Sequence, residues 1–180
     1  MLWVYILIGV VALIAILLIV ISMRPSDFRY ARSTVISAPA NVIFPHVNDF
    51  KKMDVWSPWL KIDPNVKVTH EGAPAGVGAI ESWDGDKNVG AGRMTVIESR
   101  PHDLIRLKLE FFRPFAATNS AEFTFEPQAG GTMVIWAMMG KYNFITKGMG
   151  LFMNMDKMIG GNFEKGLAEL KRIVEAEAGK

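Results

Sequence analysis

The 180-residue sequence contains no cysteine. Disulfide bonds, zinc–thiolate sites, iron–sulfur clusters and thiol nucleophiles are therefore excluded together. The sequence also lacks the phosphate-binding motifs GxGxxG and GxxxxGKS/T, and it lacks the GxSxG motif of a nucleophilic serine. Because these motifs are missing, we expect neither nucleotide binding nor catalysis by a nucleophilic serine, and we expect no cofactor.

No excess of one charge sign is present. The sequence has 20 lysines and arginines against 18 aspartates and glutamates, which gives a net charge of +2. A protein that binds nucleic acid concentrates basic residues on one face. We therefore expect no nucleic-acid partner.

Histidine is scarce, with only His46, His70 and His102 in the chain. They lie far apart, and no carboxylate accompanies them at the sequence spacing of a metal site. Metal binding needs several ligands that converge on one point. The sequence therefore predicts isolated surface histidines and no metal.

Residues 1–23 contain no charged side chain at all. As a helix they would span about 34 Å, enough to cross the bilayer core. A cleaved signal peptide is one alternative, but it should have a basic start, a shorter apolar run and a small-residue cleavage site. A buried soluble helix is another, although such helices are rarely apolar all round for six turns. The composition favours a transmembrane helix that anchors the chain in a membrane.

Three arginines follow this segment, at positions 24, 29 and 32, and no basic side chain precedes it. The positive-inside rule then places the rest of the chain in the cytoplasm. The linker, residues 24–27, reaches at most about 14 Å. We therefore expect one domain, residues 28–180, close to the lipid headgroups.

Hydrophobic periodicity in residues 28–180 predicts an α+β domain. The first strand covers residues 28–37, and a helix that Ser37 would cap runs to about Val47. A short helix or turn covers 50–56. Six further strands are predicted at 66–71, 77–83, 92–100, 104–112, 119–126 and 132–140.

After Lys147 the period changes to that of one amphipathic helix of about 25–30 residues. Gly160 and Gly161 interrupt it, which indicates either close backbone packing or a hinge. A seven-stranded antiparallel sheet curves strongly, so we expect a cavity between its concave face and this helix.

Several short stretches, taken in order, resemble the START/Bet v 1-like superfamily. They resemble most closely the bacterial polyketide cyclase/dehydrase and lipid-transport family, also called SRPBCC proteins. The resemblance covers about residues 28–175. The stretches that carry it are Ser37-Ala38-Pro39-Ala40, Trp56-Ser57-Pro58-Trp59, Gly76-Val77-Gly78 with Trp83, Gly90-Ala91-Gly92, Gly131-Thr132 with Trp136, and Phe163-Glu164-Lys165-Gly166-Leu167. The resemblance implies a helix-grip fold with a hydrophobic ligand cavity, and it implies no particular activity.

Aromatic and aliphatic side chains from several predicted elements are candidates to line that cavity, although large aromatics also dominate ordinary cores. The candidates are Trp56, Trp59, Trp83, Met94, Leu107, Leu109, Phe111, Phe115, Phe123, Trp136, Phe152, Met155 and Ile159. Asp156 and Glu81 are candidate acid–base groups, since a buried carboxylate has a raised pKa.

Three functions remain open from the sequence. The first is membrane-tethered binding of a hydrophobic small molecule or lipid. The second is a cyclase or dehydratase acting on a polyketide-like substrate. The third is a non-enzymatic interaction protein with a closed core. In each case a homo-oligomer is a further possibility.

Overall fold

The N-terminal helix α1 is Leu2–Met23 in the computed structural model, which describes residues 1–178. Its side chains are exposed, apart from Ile21 near its end. Among the described residues it is the one helix long and apolar enough to cross a membrane, and a signal sequence can share that length and composition. Low burial distinguishes it from the core helix of a soluble protein.

The remaining elements form an α+β domain. Strand β1 is Asp27–Ile36 and is followed by helices α2, Ala40–Asn48, and α3, Phe50–Trp56. The strands that follow are β2 Lys67–Gly72, β3 Ala79–Asp84, β4 Ala91–Arg100, β5 Leu104–Arg113, β6 Ala117–Gln128 and β7 Gly131–Lys141. The chain then forms helices α4, Phe144–Met149, and α5, Met155–Ala178.

All seven strands of the described chain form one antiparallel sheet, in the order β1-β7-β6-β5-β4-β3-β2. Each strand from β2 to β7 pairs with its neighbour in sequence, and β1 closes against β7. The expected α+β helix-grip class is confirmed. Strand ends differ from the predicted ones by at most one residue, except that β3 begins two residues later than predicted, at Ala79, and β6 extends two residues further than predicted at each end, to Ala117 and Gln128.

Helices α2, α3 and α5 cover the concave face of the sheet. The main contact is a stack of Trp136 in β7 on Phe163 in α5, with ring centroids 4.2 Å apart. Phe123 stacks on the other side of Trp136, and Trp56 meets both rings edge-on. The Trp56 ring N–H donates a hydrogen bond to the His46 carbonyl, so this buried polar group has a partner.

Two local predictions were wrong. Ser37 does not cap α2; its backbone N–H donates to Glu175 in α5, and Pro39 occupies the N-cap position. The long C-terminal helix is confirmed as α5, but it begins at Met155 and not directly after Lys147. A short α4 comes first, and residues 150–154 turn before α5 begins. Gly150 is the C-cap residue of α4. The Asn154 side chain then accepts a hydrogen bond from the Lys157 N–H at the start of α5, and together these two residues explain the break.

The glycine pair in α5 has two different environments. A Cβ on Gly160 would lie 2.1 Å from the Arg32 guanidinium, whereas a Cβ on Gly161 would meet no atom of the described chain within 4 Å. Close packing against β1 therefore accounts for Gly160. Gly161 has no such contact, so it is an ordinary helix position at which glycine disfavours the helix.

Replacing Gly161 by alanine is expected to raise the free energy of unfolding by about 0.5–1 kcal/mol, because alanine favours the helix and its Cβ is accommodated. Gly160→Ala is the matched comparison: it gains the same helix propensity but displaces Arg32. We expect it to be clearly less stable than Gly161→Ala in denaturant unfolding of the full chain in detergent. Equal stabilisation by both changes would contradict close packing at Gly160.

Candidate functional site

A single row of side chains crosses the concave face of the sheet. Antiparallel partners share a face, so the register can be followed from strand to strand. The row begins with Phe28 opposite Gly140, and Asn119 lies beside Gly140, 2.1 Å from where a Cβ would be. It continues through Leu109, Met94, Glu81 and His70, which are paired in that order. At about 4.8 Å per strand this row is on the order of 29 Å long.

The helices cover this face unevenly. Along β5 the inward residues change from fully buried, at Ile105 and Leu107, to partly exposed, at Leu109 and Phe111. Met94 and Trp83 on the next two strands are also partly exposed. We call this uncovered part the concave groove, formed by Phe28, Trp83, Met94, Leu109, Phe111 and Asn119. The groove is apolar apart from Asn119.

The candidate lining residues fall into three groups. Four are at most 7% exposed and belong to the packed core: Trp56, Leu107, Phe123 and Trp136. Seven are partly buried: Trp59, Trp83, Met94, Leu109, Phe111, Met155 and Ile159. The last two lie at the surface, with Phe115 43% and Phe152 83% exposed. Within the second group, the residues that pack against the core while part of their surface stays accessible are Trp59, Met94, Leu109, Met155 and Ile159.

A group of three polar side chains lies at the β2 end of the row. Asp54 comes from α3, His70 from β2 and Glu81 from β3, and we call them the polar cluster. The His70 Nε2 atom is 3.1 Å from Asp54 Oδ2 and 3.5 Å from Glu81 Oε2. The Glu81 side chain is 6% exposed, against 23% for Asp54 and 26% for His70.

Burial raises the pKa of the Glu81 carboxyl to about 9, and the nearby charge of Asp54 adds to the rise. Within residues 1–178, Glu81 Oε2 and Asp54 Oδ1 are buried without a hydrogen-bond partner. Such an arrangement can hold a proton, a cation or the polar group of a ligand.

The expectation of isolated surface histidines is wrong at His70, which faces two carboxylates, and at His46, whose Nε2 atom lies 3.1 Å from Glu177 Oε2. The spacing in the sequence conceals this, because Asp54 is 16 residues before His70 and belongs to another element. The alternating pattern of β2 and β3 offered one usable signal: opposite residues of a hairpin share a face. The six-residue connection between these strands left their register undetermined.

Asp156, the other candidate acid–base group, does not join the polar cluster. It lies in the first turn of α5 and pairs with Arg32 of β1, five strands away from β3, at an Nη2–Oδ2 distance of 3.0 Å. Arg32 also binds Glu164. The Arg32 guanidinium holds the pKa of the Asp156 carboxyl below its usual value, and the side chain is 55% exposed. This arrangement attaches α5 to β1.

A second concavity lies where α1 meets the domain. This junction cleft has a volume of about 540 Å³, and its lining includes Arg24, Tyr30, Tyr142, Lys147, Phe152 and Met155. Phe28 stacks on both Tyr30 and Tyr142, so the junction cleft adjoins the β1 end of the row. Large apolar side chains are exposed around it: Phe144, Ile145, Leu151, Phe152 and Met153.

A curved antiparallel sheet that grips a long C-terminal helix defines the helix-grip class of fold. The family model described as polyketide cyclase/dehydrase and lipid transport matches residues 27–175. The chain therefore belongs to this family, as the sequence resemblance implied. No curated protein matches the chain significantly.

Solved structures agree on the fold at low sequence identity. Protein CV1439 from Chromobacterium violaceum is 16% identical with a TM-score of 0.59, over 84% of this chain and 99% of that one. The di-domain ARO/CYC StfQ from the steffimycin biosynthetic pathway is 12% identical with a TM-score of 0.63; the match covers 86% of this chain and 53% of StfQ. The Aha1 dimer from Colwellia psychrerythraea is 15% identical with a TM-score of 0.56, over 82% and 96% of the two chains.

Truncation of Phe163, compared with truncation of Phe152, should distinguish a ring of the packed core from a ring at the surface. Phe163→Ala removes the ring stacked on Trp136 and is expected to lower the free energy of unfolding by about 3–5 kcal/mol. The control Phe152→Ala should change it by no more than about 0.5 kcal/mol, because that ring is exposed. Thermal and denaturant unfolding of the full chain in detergent measure both. A small loss at Phe163 would contradict a closed aromatic core.

Proposed function

We propose that this protein binds a hydrophobic small molecule or lipid in the concave groove while α1 holds it in a membrane. The observation that supports this most directly is the row from Phe28 to His70. It combines partly exposed apolar side chains with a polar cluster at one end. An amphipathic ligand has the matching order, with an apolar body and a polar group.

The position of the groove relative to α1 supports a membrane source for the ligand. Only residues 24–26 separate α1 from β1, a reach of about 10 Å. Phe28, at the start of β1, adjoins both the junction cleft and the groove. The exposed apolar side chains around the cleft would face the lipid interface, where apolar surface is stabilised. A ligand would then pass from the bilayer through the junction cleft into the groove.

The arginines after α1 support a cytoplasmic orientation of the domain as part of this proposal. Retention of α1 in the mature protein is part of the proposal. Intact-mass measurement of the protein recovered from membranes checks it, and loss of residues 1–23 would favour a signal sequence instead.

A cyclase- or dehydratase-like enzyme is the second candidate. The observation that favours it is that a carboxylate–imidazole–carboxylate group faces an apolar groove, where it would meet the polar part of a bound molecule. Both functions need the groove. They differ in whether the bound molecule is changed over time.

Native mass spectrometry with lipid extraction, on the full chain purified in mild detergent, tests the proposal. We expect a stoichiometric apolar species, and incubation followed by a second extraction separates a carrier from an enzyme.

Leu109→Trp would fill the groove and reduce bound ligand about tenfold or more. Lys108→Trp is the matched control, because the neighbouring residue on β5 points to the opposite face. Equal ligand content in the two variants, or an empty wild-type protein across preparations, would contradict groove binding.

Entry from the membrane predicts a kinetic effect at the junction cleft. Replacing Ile145 and Phe152 together by aspartate should slow loading of a fluorescent fatty acid from vesicles into the reconstituted full chain by about tenfold. Val77→Asp, at an exposed apolar position in the β2–β3 connection, should leave loading unchanged. Energy transfer from the tryptophans to the probe follows the rate. Unchanged loading in the double variant would contradict entry at this cleft.

A further inference from the structure

The polar cluster has the geometry of a metal site. Asp54, His70 and Glu81 each present one ligand atom, and these three atoms all lie within 4.8 Å of one another. Ligand atoms that share one ion at about 2.0–2.2 Å are themselves separated by about 2.8–3.6 Å. The two distances from His70 Nε2, 3.1 Å to Asp54 Oδ2 and 3.5 Å to Glu81 Oε2, both lie in this range.

We propose that Asp54 Oδ2, His70 Nε2 and Glu81 Oε2 bind a divalent transition-metal ion of the zinc class. The donor set decides the class, because an imidazole nitrogen suits zinc and its neighbours in the first transition row. Calcium and magnesium prefer sites made of oxygen alone. A set of one imidazole and two carboxylates is therefore selective against both.

A separate observation concerns the burial of Glu81. Its side chain is 94% buried, yet Oε2 has no hydrogen-bond partner within the described part of the chain. Placing a second carboxylate, Asp54, beside it adds repulsion between like charges. A buried acceptor of this kind needs a proton or a cation, and a metal ion would serve both carboxylates at once.

The rigidity of the surroundings also suits a metal site. His70 and Glu81 are direct partners in the β2–β3 ladder, so their backbones are held by the sheet. Asp54 lies in α3, whose last residue, Trp56, is fixed in the aromatic core. β2 is an edge strand, but its pairing with β3 and the packing of α3 position the three ligands before an ion binds, which reduces the entropy cost of binding.

Three protein ligands leave at least one coordination position for another molecule. Open sites of this kind are typical of metals that contact a substrate or water. Glu81 lies next to Met94 in the row, so the open position would adjoin the concave groove. The metal would then contact an oxygen atom of the groove ligand. Binding of the ion itself does not depend on the proposed function and can be measured without any groove ligand.

The test uses the full chain in mild detergent, stripped of metals with a chelator and dialysed. Zinc chloride, manganese chloride and magnesium chloride are titrated separately by calorimetry, and zinc content is measured by elemental analysis after equilibrium dialysis. We expect one zinc per chain, weaker manganese binding and no saturable magnesium binding. Zinc should also raise the melting temperature of the wild-type protein.

Glu81→Gln and His70→Ala should each weaken zinc binding at least about tenfold and abolish the zinc-dependent rise in melting temperature. Glu71→Gln is the matched control, since it removes a neighbouring carboxylate of β2 that lies on the opposite face. Glu81→Gln keeps the size of the side chain and removes a buried acid, so it is expected to fold; circular dichroism of the metal-free variant verifies this.

Absence of stoichiometric zinc, or equal affinity in Glu81→Gln and wild type, would overturn the metal site. The cluster would then be a proton-sharing group of two carboxyls and an imidazole. The result would leave groove binding untouched, because native mass spectrometry measures the apolar ligand independently.

Discussion

The stack of Trp136 on Phe163 is the contact on which the arrangement of the domain depends. The two rings lie 4.2 Å apart and nearly parallel, and they join the middle of α5 to a strand near the edge of the sheet. Phe123 and Trp56 surround Trp136 and bring in β6 and α3. Gly166 permits the close approach, since a Cβ there would lie 2.8 Å from the Trp136 ring. Removal of this contact would weaken the packing of the helix on the sheet.

The position of this stack divides the concave face into two parts. Helices α2, α3 and the later part of α5 close the face around Ile105, Phe123 and Val134, all of which are fully buried. The cover ends before Leu109 and Met94, because α5 begins only at Met155 and lies mainly against β1. A curved sheet wider than one helix therefore leaves an apolar strip partly exposed. The concave groove follows from this difference in width.

The two ends of the row have different chemistry. The β1 end lies beside the junction cleft and the apolar helix α1, whereas the β2 end carries Asp54, His70 and Glu81. The convex side of β5 is charged, with Arg106, Lys108 and Glu110, and Arg106 forms ion pairs with Glu98 of β4 and Glu122 of β6. Apolar, partly exposed side chains and buried ionisable groups thus occur on the same face. Their juxtaposition supports a ligand with both apolar and polar parts.

The sequence by itself determined the apolar helix, the order of the elements, the helix-grip class and the family. Each depends on local composition or on periodicity, such as the alternation of Ile105, Leu107 and Leu109 with charged residues. It also identified Glu81 and the aromatic candidates. It did not determine which candidates are buried, because alternation assigns a face but not the extent of the helix that covers it. The polar cluster was decided by the tertiary structure alone: the hairpin register aligned His70 with Glu81, and the packing of α3 brought Asp54 to them. Such contacts depend on strand register and on how whole elements pack, and local alternation in the chain determines neither.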